Sequence, residues 1–570
     1  MTINMKKYII PALVLAALSL ASCSQDKLEI VQQGVITNDS FYNGSDESAE
    51  SALNAAYDQA MRGIIRNDCY ISSPYHMVFN YPGDDLYAAG SFYGDNDNFG
   101  QLNEFRYDVT NDQITGMYKG FYKAIYGCNL VTDHFKYGTS TTQDRCISEA
   151  RVLRAFCHMM LAIGWDNPPK IDHVISGSDH PANCPHNELL EWCAKECEES
   201  AQYLDERKST SDKAGAYIVT KGVAYAFAGK ARMFLGDYSG AKTDLKKVID
   251  SKKYELVPSS RLRESFHKAG DGNEEKVFEF NIAWDTSIST WSGAIQKTVW
   301  MEAQLWGWRS DHMAGWPAPL SNIGGWGGLG VSKSFAEALI ANDGMDSYRR
   351  KAWFLTYDEV LYDPTFTYPS DETCKTLEEK QKDPKRGVSD PSGLYGNPGY
   401  FQWKWSRETD DMAPDNSYLE TNFEIMRYAE VLLLYAEACA RTNDSDGLQY
   451  LNAIQQRAGS KHISTACTLD EVKNEKRFEM WLEQCRWPDL VRWGEASKCA
   501  ANGDEVPSLK DHFFDSADSG TKTATHQGYV TWAEPNKDKV HGFKAGKHEY
   551  YPYPYSETSI NPEIVQNPGW

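Results

Sequence analysis

Apolar residues recur every third or fourth position through much of this chain, the spacing that gathers them on one face of an α-helix. From Ala49 to Met61 that face carries Ala52, Leu53, Ala56 and Tyr57, and Ser45-Asp46-Glu47 ahead of it supplies an acidic first turn. A second helix is expected from Met117 to His134. A third, from Ser148 to Ile163, sets Ala150, Leu153, Ala155, Phe156 and Met160 at core spacing until Gly164 and Pro168-Pro169 end it. Between Tyr217 and Asp250, the residues Tyr225, Gly229, Gly236, Tyr238, Ala241, Leu245 and Val248 fall at the spacings of a tetratricopeptide repeat, a hairpin of two helices. Another hairpin is expected from Arg427 through Arg441 and on from Leu448 to Arg457. One hairpin cannot bury its own apolar face, and about three must stack to make a stable array. Segments 117–163 and 471–487 are the candidates for the missing layers. The pattern predicts a mainly α fold, a tetratricopeptide-like helical scaffold over about 40–260 and 420–500.

Two stretches break the period. Trp284, Trp291, Trp300, Trp306, Trp308, Trp316 and Trp326 lie among Gly293, Gly307, Gly315, Gly324, Gly325, Gly327, Gly328, Pro317 and Pro319. Neither a helical nor a strand period survives that much Gly and Pro, so a long loop is expected here. Loops lie on the surface, and an indole offers a flat apolar face with a polar edge. Residues 70–112 are also irregular and polar-aromatic, with Tyr81-Pro82-Gly83-Asp84-Asp85-Leu86-Tyr87 followed by Phe92-Tyr93-Gly94-Asp95-Asn96-Asp97-Asn98-Phe99. A loop-rich region is expected over about 270–420.

Composition narrows the function. Lys and Arg number 58 against 80 Asp and Glu, a formal charge of −22. Nucleic-acid phosphates demand clustered cations, so that class is disfavoured, as is direct adsorption to anionic lipid. At the head of the chain, Lys6 and Lys7 precede an apolar run from Tyr8 to Ser19, the organisation of a secretory signal over residues 1–22. Leu20-Ala21-Ser22-Cys23 resembles the lipobox of bacterial lipoproteins, which makes Cys23 the expected lipid-bearing residue. No later run of about eighteen apolar residues occurs, so the expectation is a tether rather than a span. No linker divides residues 23–570, which are read as one unit. The cysteines are scattered and do not suggest a disulfide scaffold; Cys128, Cys157, Cys439 and Cys485 sit in helical, apolar contexts. Cys184, His186, Cys193 and Cys197 lack a tight CxxC pair, so no metal is expected there. No G-x-S-x-G or HExxH occurs, and the Gly-rich stretch from Ser321 to Gly330 lacks the Lys-Ser/Thr of a phosphate loop. Asp84 and Asp85 have no companion acid that the sequence can place. The chain reads as a binder and not an enzyme. It calls for no cofactor, and leaves open a structural calcium ion bracing a loop.

The run Asn422-Phe423-Glu424-Ile425-Met426-Arg427-Tyr428-Ala429-Glu430-Val431-Leu432-Leu433-Leu434-Tyr435-Ala436-Glu437-Ala438 resembles the hallmark helix of the SusD/RagB family. The likeness continues through Leu451 to Gly459, Glu475-Lys476-Arg477-Phe478-Glu479, Arg486 to Gly494, and the close Tyr551-Pro552-Tyr553-Pro554 with Gln566 to Trp570. Upstream, Ala150 to Phe156 and Asp343-Gly344 before Arg349-Arg350 fit too. The resemblance implies four tetratricopeptide-like units carrying a loop-rich ligand region. It also implies a lipid-anchored protein of the outer membrane, facing outward, that captures oligosaccharide or polysaccharide and delivers it to a SusC-like TonB-dependent transporter. A peptide-binding lid of a RagB-type importer is the alternative. Arg427, Glu430 and Glu437 are expected to hold the fold by pairing with Arg477, Arg486 or Asp489.

Sugar rings show an apolar C–H face and a rim of hydroxyls, so a glycan site needs aromatic rings and planar polar groups. Trp284, Trp306, Trp308, Trp316 and Trp326 are the expected stacking rings, with Gly and Pro neighbours suited to exposed positions. Tyr87, Tyr93, Asp84, Asp85, Asn96 and Asn98 are the expected hydroxyl partners, and the resemblance implies that the two stretches converge on the ligand site.

Overall fold

The computed structural model describes residues 41–65, 73–90, 95–282, 295–308, 317–318, 325–383, 385–386, 400–412, 419–499 and 542–570. The signal segment and Cys23 fall outside them. In chain order the first helices are α1 (Asp46–Ile65), α2 (Pro74–Asn80), α3 (Asp97–Asn103), α4 (Asp112–His134), α5 (Thr141–Trp165), α6 (His186–Ser200), α7 (Lys221–Leu235) and α8 (Tyr238–Asp250). The strand β1 (Leu86–Ala88) lies between α2 and α3. There follow β2 (Lys276–Phe280), α9 (Ile295–Trp306), β3 (Leu329–Val331), α10 (Lys333–Asp343), α11 (Tyr348–Trp353), β4 (Phe354–Thr356), α12 (Tyr357–Tyr362) and α13 (Leu377–Lys382). The chain continues with β5 (Tyr400–Gln402), β6 (Phe423–Arg427), α14 (Tyr428–Arg441), α15 (Gly447–Ala458), α16 (Leu469–Glu479), α17 (Arg486–Arg492) and α18 (Tyr555–Thr558).

The scaffold is a run of stacked helix pairs: α1 with α4, α5 with α6, α7 with α8, and α14 with α15, each pair lying against the next. This is the mainly α, tetratricopeptide-like arrangement that the helical period predicts. Capping explains the boundaries: Asn111 accepts hydrogen bonds from the N–H groups of Gln113 and Ile114 at the head of α4, and Asp237 accepts from Gly240 at the head of α8. Between them Gly236 closes α7 in the left-handed region at φ 83°. Every residue of α14 from Tyr428 to Cys439 is buried, as expected of a helix that is apolar nearly all round. α1 and α4 approach so closely at Gly63 that a Cβ there would collide with the Gly120 carbonyl. Gly63→Ala is expected to cost about 1–3 kcal/mol by forcing the pair apart, seen as a lower midpoint in urea; an unchanged midpoint would refute the close approach.

Among the described residues, three two-stranded antiparallel sheets, β1 with β3, β2 with β6 and β4 with β5, tie the intervening segments to this stack. The final segment returns to the first layers. The Tyr551 hydroxyl donates to the Val78 carbonyl at 2.6 Å and its N–H to Gly164 at 2.8 Å. Trp165 Nε1–H donates to Pro552 at 3.0 Å, and the Tyr553 hydroxyl donates to the Trp165 carbonyl at 2.9 Å.

Several local expectations are corrected. α9 forms inside the stretch read as a continuous loop, because Ile295 to Trp306 contains no Gly or Pro. The expected helix over 471–487 stops at Glu479 and restarts at Arg486, with Leu482 and Gln484 at positive φ between the two. Arg427, Glu430 and Glu437 do bind the fold together, but with other partners. Arg427 meets Glu275, Glu479 and Glu483; Glu430 meets Lys230 at 2.9 Å; Glu437 meets Arg441 and Arg492.

Candidate binding surface at the β1–β3 ribbon

The two stretches singled out by sequence do meet. β1 pairs with β3 so that Tyr87 faces Gly330, and a Cβ on Gly330 would fall inside the Tyr87 ring. Glycine at 330 is what lets that ring lie flat on the opposite strand. The ribbon extends at both ends: the Ala89 N–H donates to the Gly328 carbonyl at 3.0 Å, and the Ser332 N–H to Asp85 at 3.3 Å. The last carbonyls of a helix have no intrahelical donor. Here the N–H groups of Trp326 and Gly328 donate to Gln304 and Leu305 in the last turn of α9, each at 2.6 Å, and that of Gly327 to Gly307 at 2.8 Å. The packing is backbone on backbone, because a Cβ at Gly325 would overlap Trp308 and Gly307.

This geometry sorts the expected stacking rings. Trp326 rises from the junction with 37% of its surface exposed. Trp306 and Trp308 are buried, and their expected place as exposed platform rings is corrected. Trp306 stacks on His76 at 5.3 Å, and Trp308 packs against Phe401 at 5.3 Å while its Nε1–H donates to the Gln402 carbonyl at 2.6 Å. They anchor the surface from beneath. Trp284, Trp316 and Tyr93 lie outside the described residues.

The polar residues divide likewise. Asp84 and Asp85 are taken up by two arginines, which corrects their expected role toward ligand hydroxyls. Arg486 donates to both Asp84 oxygens at 2.6 and 2.8 Å, and Arg477 donates to Asp85 at 2.8 Å. Burial alone would raise the Asp84 carboxyl, yet Arg486 and Arg477 hold it below the ordinary carboxylate range. Burial and the neighbouring Asp84 charge leave Asp85 above it. Tyr87 is fully buried beneath the ribbon, so it too is corrected from ligand contact to support. Asn96 is half-buried and its Nδ2–H donates to the Ala89 carbonyl at 2.8 Å, which ties the 95–99 turn to the ribbon. Asn98 and Asp95 are exposed beside it. Of the described residues in these two stretches, Trp326, Asp95 and Asn98 are exposed and Asn96 is half-buried.

The sequence marks Arg477 and Arg486 as ion-pair formers but not as the partners of Asp85 and Asp84. Arg477 and Arg486 stand 392 and 402 positions from Asp85 and Asp84, and no local period links residues so far apart. Arg263 was missed; its guanidinium lies 3.5 Å above the Trp403 ring, which in turn packs on Trp308 at 5.7 Å. Among the described residues no group of three or more His, Cys, Asp or Glu is placed to hold a metal ion.

Comparison with known proteins gives concordant results. Residues 296–570 match the model of the SusD family. A SusD-like protein P2 of Formosa agariphila is 26% identical over 86% of this chain and 91% of its own. A SusD-like protein of Bacteroides ovatus is 22% identical over 84% of this chain and 81% of its own. Among solved structures, a surface glycan-binding protein A from Bacteroides thetaiotaomicron superposes with a TM-score of 0.69 at 23% identity, covering 92% of this chain and 99% of that one. The same-named protein solved with laminarihexaose gives 0.67 at 22% identity, with the same coverage. At such identities these superpositions establish the fold.

Proposed function

We propose, from the premise that this chain belongs to the SusD/RagB family, that it is a cell-surface glycan-binding lipoprotein. In this reading Cys23 carries the lipid that tethers it to the outer membrane. The bound oligosaccharide passes to a SusC-like TonB-dependent transporter. One observation carries the glycan assignment: Trp326 is 37% exposed two residues before Gly328, whose carbonyl accepts from Ala89, and the 95–98 turn is tied to that same Ala89 through the Asn96 amide. The ring suits the apolar face of a sugar and the amides suit its hydroxyls. Structural neighbours named for glycan binding and for laminarihexaose support this class of ligand, and nothing in the comparisons favours the peptide alternative.

The work done by the protein is binding. One stacking ring and a few planar groups give modest affinity, at roughly the micromolar to millimolar level. Affinity electrophoresis through gels containing a panel of polysaccharides, β-glucans included, is expected to show retardation by one of them. Trp326→Ala should weaken that retardation about tenfold with the fold intact. Trp308→Ala removes a buried ring instead, and should lower stability by about 3–5 kcal/mol. Undiminished binding by the folded Trp326→Ala protein would remove the ring from the site, and no retardation by any polymer would remove the glycan.

A further inference from the structure

We infer that the groove along α7, α8 and α14 is a second ligand site, one that takes an oligosaccharide bearing anionic groups, sulfates or carboxylates. It shares no residue with the Trp326 surface and does not depend on that reading. The cavity measures about 710 Å³, within the range of about 300–1,000 Å³ usual for small-ligand sites. Its walls carry Arg207, Lys221, Lys242, Lys246, Lys247 and Lys253 against only Glu206 and Asp250. That sign is opposite to a chain of net charge −22. An anionic ligand repelled by the remaining surface would be steered here.

Arg207 makes the groove more than a run of surface lysines. Its side chain is buried, and its guanidinium donates only to carbonyls: Lys276 at 2.7 Å, Asn273 at 2.8 Å, Asp212 at 3.0 Å, Gly272 at 3.1 Å and Thr210 at 3.2 Å. Its hydrogen bonds go to carbonyls rather than to a carboxylate, while Asp212, Glu279 and Glu274 lie near enough to offset part of its charge. Tyr254, whose ring lies 5.3 Å from the guanidinium carbon, lines the groove beside it. Burial depresses the Arg207 pKa, as that environment requires.

At the rim Lys242 and Lys247 are held by Asp444 and Asp244 at 2.8 and 2.9 Å, which leaves Lys221, Lys246 and Lys253 the more available. Lys253 Nζ donates to the Lys208 carbonyl at 3.0 Å, and Lys221 stands a loose 3.8 Å from Glu206. Lys246 reaches Asp250 at 2.7 Å and the Tyr450 hydroxyl at 3.2 Å. Pairs at this exposure contribute little, so a ligand anion can replace the aspartate at small cost. Lysine ammonium groups are compact point charges that serve sulfate and carboxylate alike. Several of them along a groove with tyrosine walls fit repeated charges on a sugar chain rather than one isolated anion.

The test is isothermal titration of the purified protein with dextran sulfate, with an alginate oligosaccharide and with neutral dextran. Each is run at about 50 and about 300 mM salt. At least one charged polymer should bind, weakening as salt rises, where neutral dextran does not. The paired substitutions Lys246→Glu and Lys253→Glu should weaken it at least about tenfold, with the helical circular dichroism unchanged. Reversal of Lys195 and Lys382, which are 70% and 73% exposed elsewhere, should leave it intact, as should Trp326→Ala. Equal losses in groove and control reversals would reduce the effect to general attraction. Loss of binding in Trp326→Ala would merge the two sites into one, and binding of neither charged polymer would end the proposal.

Discussion

Arg427→Ala is expected to lower stability by about 3–5 kcal/mol, the cost of stranding buried carboxylates. Arg427 Nη1 donates to Glu275 at 2.6 Å and Glu479 at 2.7 Å, Nε donates to Glu483 at 2.5 Å, and Nη2 donates to the Glu479 carbonyl at 2.8 Å. Three carboxylates from two remote segments thus share one guanidinium. Arg457 touches Glu275 and Glu479, and Lys404 touches Glu483. Neither cation reaches all three acids. Arg427→Lys keeps a charge but loses the planar fork, and should fall between wild type and alanine. Urea denaturation of the three proteins checks the order, and an alanine variant within about 1 kcal/mol of wild type would show that the network contributes specificity without stability.

Acidification should dismantle the same region. Burial alone would raise the Glu479 carboxyl, but Arg457, Arg427 and Arg349 hold it at about 2. Glu437 is likewise held at about 2 by Arg492, against its burial. A carboxylate depressed in the folded state adds stability that is complete above its unfolded value of about 4.3 and is lost as pH falls through the folded value. The window is therefore about pH 4.3 down to about 2, with each group worth on the order of 3 kcal/mol. Glu424 runs the other way, since burial pushes it to about 7 despite Lys276. Its contribution is complete below about 4.3 and is lost as pH rises through 7. Denaturant midpoints measured across pH should fall steeply below about 4, and Glu424→Gln should flatten the slope between pH 5 and 7 only. An acid limb no steeper in wild type than in Glu437→Gln would dissociate Glu437 from it.

Much of the helical scaffold was legible because its signal is local. The spacing of Ala150, Leu153 and Phe156, or of Gly229, Gly236 and Ala241, is set by one helix or one hairpin, and the structure follows it. Helix ends were less so: α5 begins at Thr141, where the Ser140 hydroxyl accepts from the Gln143 N–H, several residues ahead of the apolar run. The candidate surface was legible as a meeting of two stretches and illegible in detail. Gly307, Gly325 and Gly328 suggest an open loop by sequence, whereas in the fold they permit backbone to pack on the end of α9, with Trp306 and Trp308 buried and Trp326 exposed. A glycine used for close approach and a glycine used for freedom look alike in one sequence. Asp84 and Asp85 looked available because Arg477 and Arg486 are far away in the chain. The groove over Arg207 was missed for a similar reason, since the cation's partners are main-chain carbonyls that carry no side-chain signature.

The return of residues 551–570 to the first helical layers also dictates an order of events. Tyr551 and Tyr553 supply hydroxyls to Val78 and Trp165, and the Trp165 indole waits for Pro552, 387 positions later. While the ribosome is still adding residues, the earliest layers lack their closing partners, and so do Asp84 and Asp85 until Arg477 and Arg486 are made. Contacts this distant in sequence slow folding. The first layers are therefore complete only when the last twenty residues have been made, so a chain truncated before Tyr551 lacks the groups that close Val78 and Trp165.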